Sequence, residues 1–138
     1  MADEALAGVR VLDLTQGVAG PFCTRLLADY GAEVVKVEVP GEGDKTRHLG
    51  PFPGDIPHPE KSGLFWYLNF NKKSVTLDLE DPTDAGHFRR LAGEVDLLIE
   101  SRRPGVLAQL GLEYGILQRA NPGLVMTSIT DFGQDGPY

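Results

Sequence analysis

Glycine-rich turns are the first features of this chain that could support chemistry. Four segments, residues 16–21, 38–44, 100–105 and 130–136, combine glycine with polar or charged side chains. Glycine lets the backbone approach a ligand closely, and amides at a helix N-terminus favour an anion or a developing oxyanion. One such turn alone is typical of an ordinary strand-to-helix connection, whereas four at one sheet edge indicate a binding site. The first has the spacing Gly17-x-x-Gly20, which is not a dinucleotide fingerprint.

Two basic doublets stand out in an acidic chain. Lys72-Lys73 and Arg102-Arg103 are both predicted on loops, while the formal net charge of the protein is -7. Such doublets suit a ligand that carries phosphate groups. The alternative is ordinary solvated surface charge.

Side chains that could act as nucleophiles or metal ligands are sparse. The single cysteine, Cys23, excludes a disulfide framework and a cysteine zinc site within the chain. His48, His58 and His87 lack metal-ligand spacing, so no metal is expected. Asp131 and Asp135 flank the last glycine-rich turn, where aspartate also serves to stabilise turns. The residues alone therefore indicate a domain that binds a phosphate-bearing ligand and has no evident catalytic group.

Alternating strand and helix patterns must position these turns. Strands are predicted over residues 9–14, 33–38, 74–79, 95–99 and 124–129. Two helices are predicted over residues 63–69 and 114–120, and three further helices start at Pro21, Asp81-Pro82 and Pro104. Phe22, Leu26, Leu27 and Tyr30 share one apolar face of the first helix. Residues 39–62 form a long loop. This order predicts an α/β fold, a Rossmann-like and mostly parallel sheet with helices on both faces.

Length and charge limit the remaining function classes. The 138 residues predict one domain, and the acidic balance argues against non-specific nucleic-acid binding. No apolar run approaches the ~20 residues of a membrane span, and no signal peptide opens the chain, so we expect no membrane partner and a cytoplasmic location. The turn-rich residues 133–138 suggest a chain cut from something longer.

A set of motifs spread over nearly the whole chain carries a family resemblance. The matching stretches are residues 6–14, 19–21, 26–38, 40–41, 43–44, 46–47, 69–74, 77–78, 104–105, 110–112, 121–122 and 132–138. With these stretches in order and at the right spacing, the chain resembles the N-terminal part of the family III CoA-transferases. That family includes formyl-CoA transferase, carnitine CoA-transferase and alpha-methylacyl-CoA racemase.

The resemblance implies a reaction and an assembly. It implies a Rossmann-like large domain that binds coenzyme A, in a protein that forms an interlocked homodimer when full length. The implied reaction transfers CoA between an acyl-CoA and a carboxylic acid through an aspartyl mixed anhydride, with no metal. The family's nucleophilic aspartate would lie beyond Tyr138, and neither Asp131 nor Asp135 occupies its position. The 138 residues alone are therefore expected to be inactive.

The resemblance also implies site residues. The active-site turn near the thioester corresponds to Gln16, Gly17, Val18 and Ala19, and the CoA-binding residues correspond to Val39, Gly43, Asp44, Asn71, Lys72, Lys73, Ser101, Arg102 and Arg103. Val39 and Gln109 stand where relatives often have a basic residue, and Arg102 could compensate as a phosphate partner.

Two alternatives stay open at this stage. A 2-methylacyl-CoA racemase would need an acid and a base beside the thioester. Racemases of the family usually carry a histidine near the last glycine-rich turn, and this turn has none, which favours transfer. The other alternative is a non-catalytic CoA-binding or assembly module that a partner chain completes.

Overall fold

Five strands alternate with helices along the chain. The structure is a computed structural model and describes residues 4–137. The elements are β1 (Arg10–Leu14), α1 (Ala19–Asp29), β2 (Glu33–Glu38), α2 (Gly63–Asn69), β3 (Lys73–Thr76), α3 (Pro82–Ala92), β4 (Leu97–Glu100), α4 (Val106–Gln109), α5 (Tyr114–Ala120) and β5 (Val125–Ser128). The long loop between β2 and α2 contains two short 3-10 turns, Lys45–His48 and Pro53–Asp55.

The strands form one sheet in the order β3-β2-β1-β4-β5, and every neighbouring pair is parallel. The chain first builds outward from β1 to β3 and then returns to the other side of β1 with β4. The strand order therefore reverses between β1 and β4, which is where open α/β sheets bind their ligands. This topology confirms the Rossmann-like prediction.

Two apolar clusters cover the two faces of the sheet. On one face, Leu12 and Leu14 of β1 pack with Phe88 of α3 and Leu117 of α5. On the other face, Val11 of β1 packs in the cluster that contains Ala28 of α1. Successive side chains of a strand point to opposite faces, so β1 contributes to both clusters. The helices lie on both sides of the sheet, as predicted.

The apolar face predicted for α1 is not the face that the helix buries. Phe22, Leu26 and Tyr30 are exposed, and the buried positions of α1 include Gly20, Thr24 and Ala28. These three small residues are spaced four apart and therefore share one face. Small side chains let the helix lie close to the sheet, and this close approach decides the buried face more than hydrophobicity does. Of the predicted set, only Leu27 packs against the core, together with the half-buried Cys23.

The predicted third strand is too long at its C-terminal end. It was expected over residues 74–79, whereas β3 ends at Thr76, which is aligned with Glu38, the last residue of β2. Leu77 and Leu79 are apolar because they enter the core cluster beside Phe88, although they belong to no strand. Apolar alternation alone does not distinguish a strand from an irregular segment that buries two side chains.

Helix starts follow their capping residues. Asp81 accepts hydrogen bonds from the backbone amides of Thr83 at 2.9 Å and Asp84 at 3.1 Å, with Pro82 at the first helical position, as predicted. The short helix predicted to open at Pro104 begins instead at Val106. Gly105 precedes it with φ of +85°, outside the helical region.

Gly20 provides a test of the close contact between α1 and the sheet. A Cβ atom at this position would lie 2.3 Å from Cβ of Thr15, which is fully buried. We expect Gly20→Ala to lower the free energy of unfolding by roughly 1–3 kcal/mol, as overpacking does. Chemical denaturation measures this change.

The matched control is Gly86→Ala in α3, where a Cβ atom meets no atom within 4 Å. Because glycine is a poor helix former, this change should raise stability by about 0.5–1 kcal/mol. A Gly20→Ala variant as stable as the parent protein would contradict the tight packing of α1.

Candidate functional site

A cavity of about 410 Å³ lies where the strand order reverses. One wall is the turn that follows β1, with Gln16, Val18 and Ala19, and another is the loop that follows β4, with Ser101 and Arg102. The backbone amide of Gln16 donates a hydrogen bond to Oγ of Ser101 at 3.0 Å. This hydrogen bond joins the turn after β1 to the loop after β4, so the two segments that line the cavity are held together.

Three cationic side chains surround this region. Arg102 and Arg103 line the cavity, and a neighbouring cavity of about 480 Å³ adds Lys45 beside Gly17. Within residues 4–137, none of these three cations forms an ion pair. Nε of Arg102 is buried without a hydrogen-bond partner in the same part of the chain. Unpaired cations beside a cavity favour an anionic ligand, because a phosphate would complete their hydrogen bonds.

The start of α1 adds backbone donors to the same cavity. Val18 caps the helix without a side-chain hydrogen bond, and the first turn contains no acidic residue. Ala19 and Gly20 line the cavity, and Pro21 has no amide hydrogen. The N-terminal end of α1 therefore presents a partial positive charge to the cavity, and its first turn has no acidic side chain of its own.

Buried charges hold the turn after β1 from below. Nζ of Lys36 donates to the carbonyl oxygen of Thr15 at 2.8 Å and forms an ion pair with Oδ2 of Asp44 at 2.8 Å. Oδ1 of Asp44 accepts the amide of Gly17 at 3.4 Å. Lys36, Asp44 and Thr15 are all buried, so these contacts form away from solvent.

Asp13 is the second buried anion below the turn. Its carboxylate accepts hydrogen bonds from the amide of Thr15 at 2.9 Å and from Oγ1 of Thr24 at 2.7 Å. Burial alone would raise the pKa of Asp13, but Lys36, Lys72 and the two hydroxyl groups outweigh burial and hold that pKa below its usual value. Asp13 is therefore ionised at neutral pH and neutralises the cations beneath α1.

Lys72 is part of this internal network. Its Nζ atom donates to Oδ2 of Asp13 at 3.0 Å, to the carbonyl oxygen of Pro21 at 2.8 Å and to Oδ1 of Asn69 at 2.8 Å. Burial lowers the pKa of Lys72 to about 8, and Asp13 opposes that shift. With its side chain 2% exposed and its three donor directions used, Lys72 acts within the fold rather than as solvated surface charge.

Glu38 and Arg47 anchor the long loop to the end of β2. Arg47 pairs with both oxygens of Glu38, at 2.7 and 2.9 Å, and its guanidinium lies 3.7 Å from the ring centre of Phe65. Oγ of Ser74 and the amide of Asp44 also donate to Glu38. Burial would raise the pKa of Glu38, but these hydrogen bonds outweigh it and lower the pKa to about 2. The position of Asp44 thus depends on Glu38.

The structure divides the predicted site residues between two edges of the sheet. At the carboxyl edge, Gln16, Gly17, Val18, Ala19, Ser101, Arg102 and Arg103 line the two cavities. Val39, Gly43 and Asp44 follow β2 at the same edge, although they line neither cavity.

The remaining predicted site residues, Asn71, Lys72 and Lys73, line neither cavity. Lys73 is the first residue of β3 and Asn71 lies two residues before it, at the amino edge of the parallel sheet. Nδ2 of Asn71 donates to the carbonyl oxygen of Ala28 at 3.0 Å, and Lys73 forms an ion pair with Glu33. A ligand in the cavities between β1 and β4 would be remote from these two side chains.

Sequence reasoning missed Lys45, which lines the neighbouring cavity. The segment from Ile129 to Gly133, which lines the cavity of about 410 Å³, falls largely within the glycine-rich turn 130–136 that the sequence had indicated. Lys45 has no basic residue directly beside it and so forms no basic doublet. The signal that could have found it is its place directly after Gly43 and Asp44, a turn that follows a strand.

A larger cavity of about 510 Å³ lies along β5 and is less suited to an anion. It shares Arg103 with the first cavity, but two carboxylates, Glu100 and Glu113, also line it. Leu107, Leu124 and Met126 make much of the remaining lining apolar. Two carboxylates beside one arginine disfavour a phosphate.

The described part of the chain contains neither a candidate metal site nor a helix that could span a membrane. Among residues 4–137, no group of three or more His, Cys, Asp and Glu side chains is arranged to hold a metal ion. No helix in the described part of the chain has the length and apolar character needed to span a membrane.

Comparison with protein families gives one match over most of the chain. The model of CoA-transferase family III matches residues 6–138. The chain is 47% identical over 135 residues to succinyl-CoA--D-citramalate CoA-transferase of Chloroflexus aurantiacus, covering 96% of this chain and 32% of that protein. It is 45% identical over 135 residues to formyl-CoA:oxalate CoA-transferase of Bradyrhizobium diazoefficiens, covering 98% of this chain and 31% of that protein.

A solved structure supports the same relationship. A CAIB/BAIF family protein from Brucella suis superposes with a TM-score of 0.89 at 38% identity, over 99% of this chain and 36% of that chain. The 138 residues therefore span about a third of the length of the relatives that they match.

The Glu38 ion pair predicts how stability depends on pH. The pKa of Glu38 is about 2 in the folded protein, against the ordinary glutamate value of 4.5. Its contribution is therefore complete above pH 4.5 and is lost as the pH falls toward 2. This contribution is on the order of 3 kcal/mol. We expect Glu38→Gln to lower stability at pH 7 and to flatten the dependence of unfolding free energy on pH between pH 5 and 3, as urea denaturation measures.

The control for this measurement is Glu80→Gln, which changes an exposed carboxylate after β3. Its stability should follow the parent protein at every pH. If Glu38→Gln also kept the parent's slope between pH 5 and 3, the account of the Glu38–Arg47 pair would be wrong.

Proposed function

The chain belongs to CoA-transferase family III, and we propose that the whole protein transfers coenzyme A between an acyl-CoA and a carboxylic acid. The relatives reported above carry the names of CoA-transferases, which favours transfer over the racemase alternative. The observation that carries the proposal is the cavity between β1 and β4, with Lys45, Arg102 and Arg103 unpaired around it within the described residues. CoA brings three phosphate groups to such a site.

These cations bind the nucleotide of CoA through its phosphate groups. We assign the phosphates to Arg102, Arg103 and Lys45, because a guanidinium donates to phosphate oxygens in a bidentate manner and Nε of Arg102 has an unused donor. Ser101 belongs to the same loop. Val39, Gly43 and Asp44 support the site from the loop after β2. In this proposal Asn71, Lys72 and Lys73 contribute to the fold rather than to the nucleotide.

The thioester end of the substrate lies at the turn after β1. Gln16, Gly17, Val18 and Ala19 form this turn, and α1 begins there with no acidic residue in its first turn. Attack on a thioester places negative charge on the carbonyl oxygen, and backbone amides of a helix N-terminus stabilise such charge. The amides of Gln16 and Gly17 already donate to Ser101 and Asp44, so the amides at the start of α1 serve to hold the oxyanion, while the cations hold the nucleotide.

The chemical step is nucleophilic transfer to a carboxylate. A carboxylate oxygen of an aspartate forms a bond to the thioester carbonyl carbon, the carbon–sulfur bond breaks, and CoA leaves as a thiolate. The product on the protein is a mixed anhydride, and the negative charge has moved from the carboxylate to sulfur. The thiolate stays bound while the acyl groups exchange. The cations at the nucleotide keep CoA in place during that exchange.

We place the nucleophilic aspartate outside these 138 residues. Asp131 lines the cavity, but it does not occupy the position of the family's nucleophile, and neither does Asp135. The proposed interlocked homodimer also belongs to the whole protein. A cytoplasmic location stays a prediction.

An exchange assay tests the function. The whole protein should form a new CoA thioester when it is incubated with an acyl-CoA donor and a panel of carboxylic acids. Chromatography detects and quantifies that product. Residues 1–138 alone should give none, because they lack the nucleophile. Exchange of the α-proton of a 2-methylacyl-CoA in deuterated water, without CoA transfer, would contradict the transferase proposal in favour of the racemase. Turnover by residues 1–138 would contradict the placement of the nucleophile.

A further inference from the structure

The turn after β1 is held at two points by one buried ion pair. Lys36 donates to the carbonyl oxygen of Thr15, at the start of the turn, and Asp44 accepts the amide of Gly17, in its middle. Lys36 and Asp44 are themselves joined at 2.8 Å and are 1% and 0% exposed in their side chains. The pair links strand β2, the loop after it and the turn of the proposed active site.

We propose that Asp44 is a positioning residue for this turn, an inference that rests on the proposed CoA-transferase function. It touches neither cavity. Its carboxylate acts through Gly17 and, by way of Lys36, through Thr15. The turn leads directly into the start of α1, whose amides are assigned above to the thioester, so Asp44 sets their place relative to the reacting carbonyl.

The positioning role requires a carboxylate, because an acceptor oxygen is needed on each side of the Asp44 side chain. Oδ1 of Asp44 accepts the amide of Thr46 at 2.8 Å, Oγ1 of Thr46 at 2.7 Å and the amide of Gly17 at 3.4 Å. Oδ2 faces the ammonium of Lys36. An asparagine amide has one oxygen and one NH₂ donor. In either orientation, that NH₂ group would face a donor, so asparagine cannot make both sets of contacts.

Asp44 is itself fixed from outside the turn. Its backbone amide donates to Oε2 of Glu38 at 2.9 Å, and Glu38 is bound by Arg47. The chain after β2 therefore transmits the position of the sheet edge to the turn after β1. Because the groups involved are buried, a change at Asp44 is relayed to the turn and not absorbed by solvent.

Asp44→Asn in the whole protein tests the positioning role in two ways. Hydrogen exchange of the Gln16 and Gly17 amides should become at least several-fold faster than in the parent protein. The kcat of CoA transfer should fall by roughly tenfold or more, since small displacements of reacting groups cost up to ~100-fold. The Kd for CoA should stay within about threefold of the parent value, because the cations assigned to the nucleotide are unchanged.

Two further variants separate positioning from stability. Asn121→Ala removes a side chain that donates to the carbonyl oxygens of Ala92 and Val95, at the amino edge of the sheet. It should lower thermal stability while leaving kcat and the exchange of the turn amides unchanged. Thr46→Val removes one hydrogen bond to Asp44 and keeps its charge, so it should shift both readouts in the same direction as Asp44→Asn by a smaller factor. It serves in place of Asp44→Asn if that variant does not fold.

The outcomes distinguish the inference from the function on which it rests. If turn exchange and kcat in Asp44→Asn and Thr46→Val match those of Asn121→Ala, the positioning role is wrong. If the parent protein transfers no CoA, the proposed function is wrong. The exchange of the Gln16 and Gly17 amides then still decides whether Asp44 holds the turn.

Discussion

The buried ammonium of Lys36 is the interaction on which the carboxyl edge of this sheet depends. A lysine inside a protein must be paired and hydrogen-bonded, because an uncompensated buried charge is costly. Lys36 meets that requirement with Asp44, the carbonyl oxygen of Thr15 and, at 4.0 Å, Asp13. These partners come from the loop after β2 and the end of β1, so neutralising one charge aligns two neighbouring loops.

The rest of the site follows from that alignment. Asp13 also pairs with Lys72, whose ammonium binds the carbonyl oxygen of Pro21 in α1. The small residues of α1 allow the helix to lie over these charges. The turn that precedes the helix contacts the loop after β4 through the hydrogen bond from Gln16 to Ser101. Buried ion pairs thus fix the backbone that lines the cavity at the reversal of strand order. The unpaired cations beside that cavity are left to bind a ligand.

Sequence patterns predicted the frame of the fold better than the interior of the site. β2, α2 and α5 begin and end at the predicted residues, because strand composition, a proline or a capping serine marks them. The buried face of α1 was not predictable from apolar spacing, since the network beneath it selects small residues. Nor does a lysine within a strand reveal that it is buried, and Lys36 was therefore overlooked. Lys72 was predicted to bind a phosphate-bearing ligand, with solvated surface charge as the alternative, and its role inside the fold was missed for the same reason: burial is set by the elements that pack over a side chain.

The most direct test of the central claim is a calorimetric titration of CoA into the whole protein and its charge variants. If the cavity between β1 and β4 binds the nucleotide, Arg102→Ala, Arg103→Ala and Lys45→Ala should each weaken CoA binding, by about 10-fold for a charge-assisted contact worth ~1.5 kcal/mol. Lys73→Ala, at the opposite edge of the sheet, should bind CoA like the parent protein. Weaker binding in Lys73→Ala with parent-like binding in the other three variants would contradict this location for the CoA site.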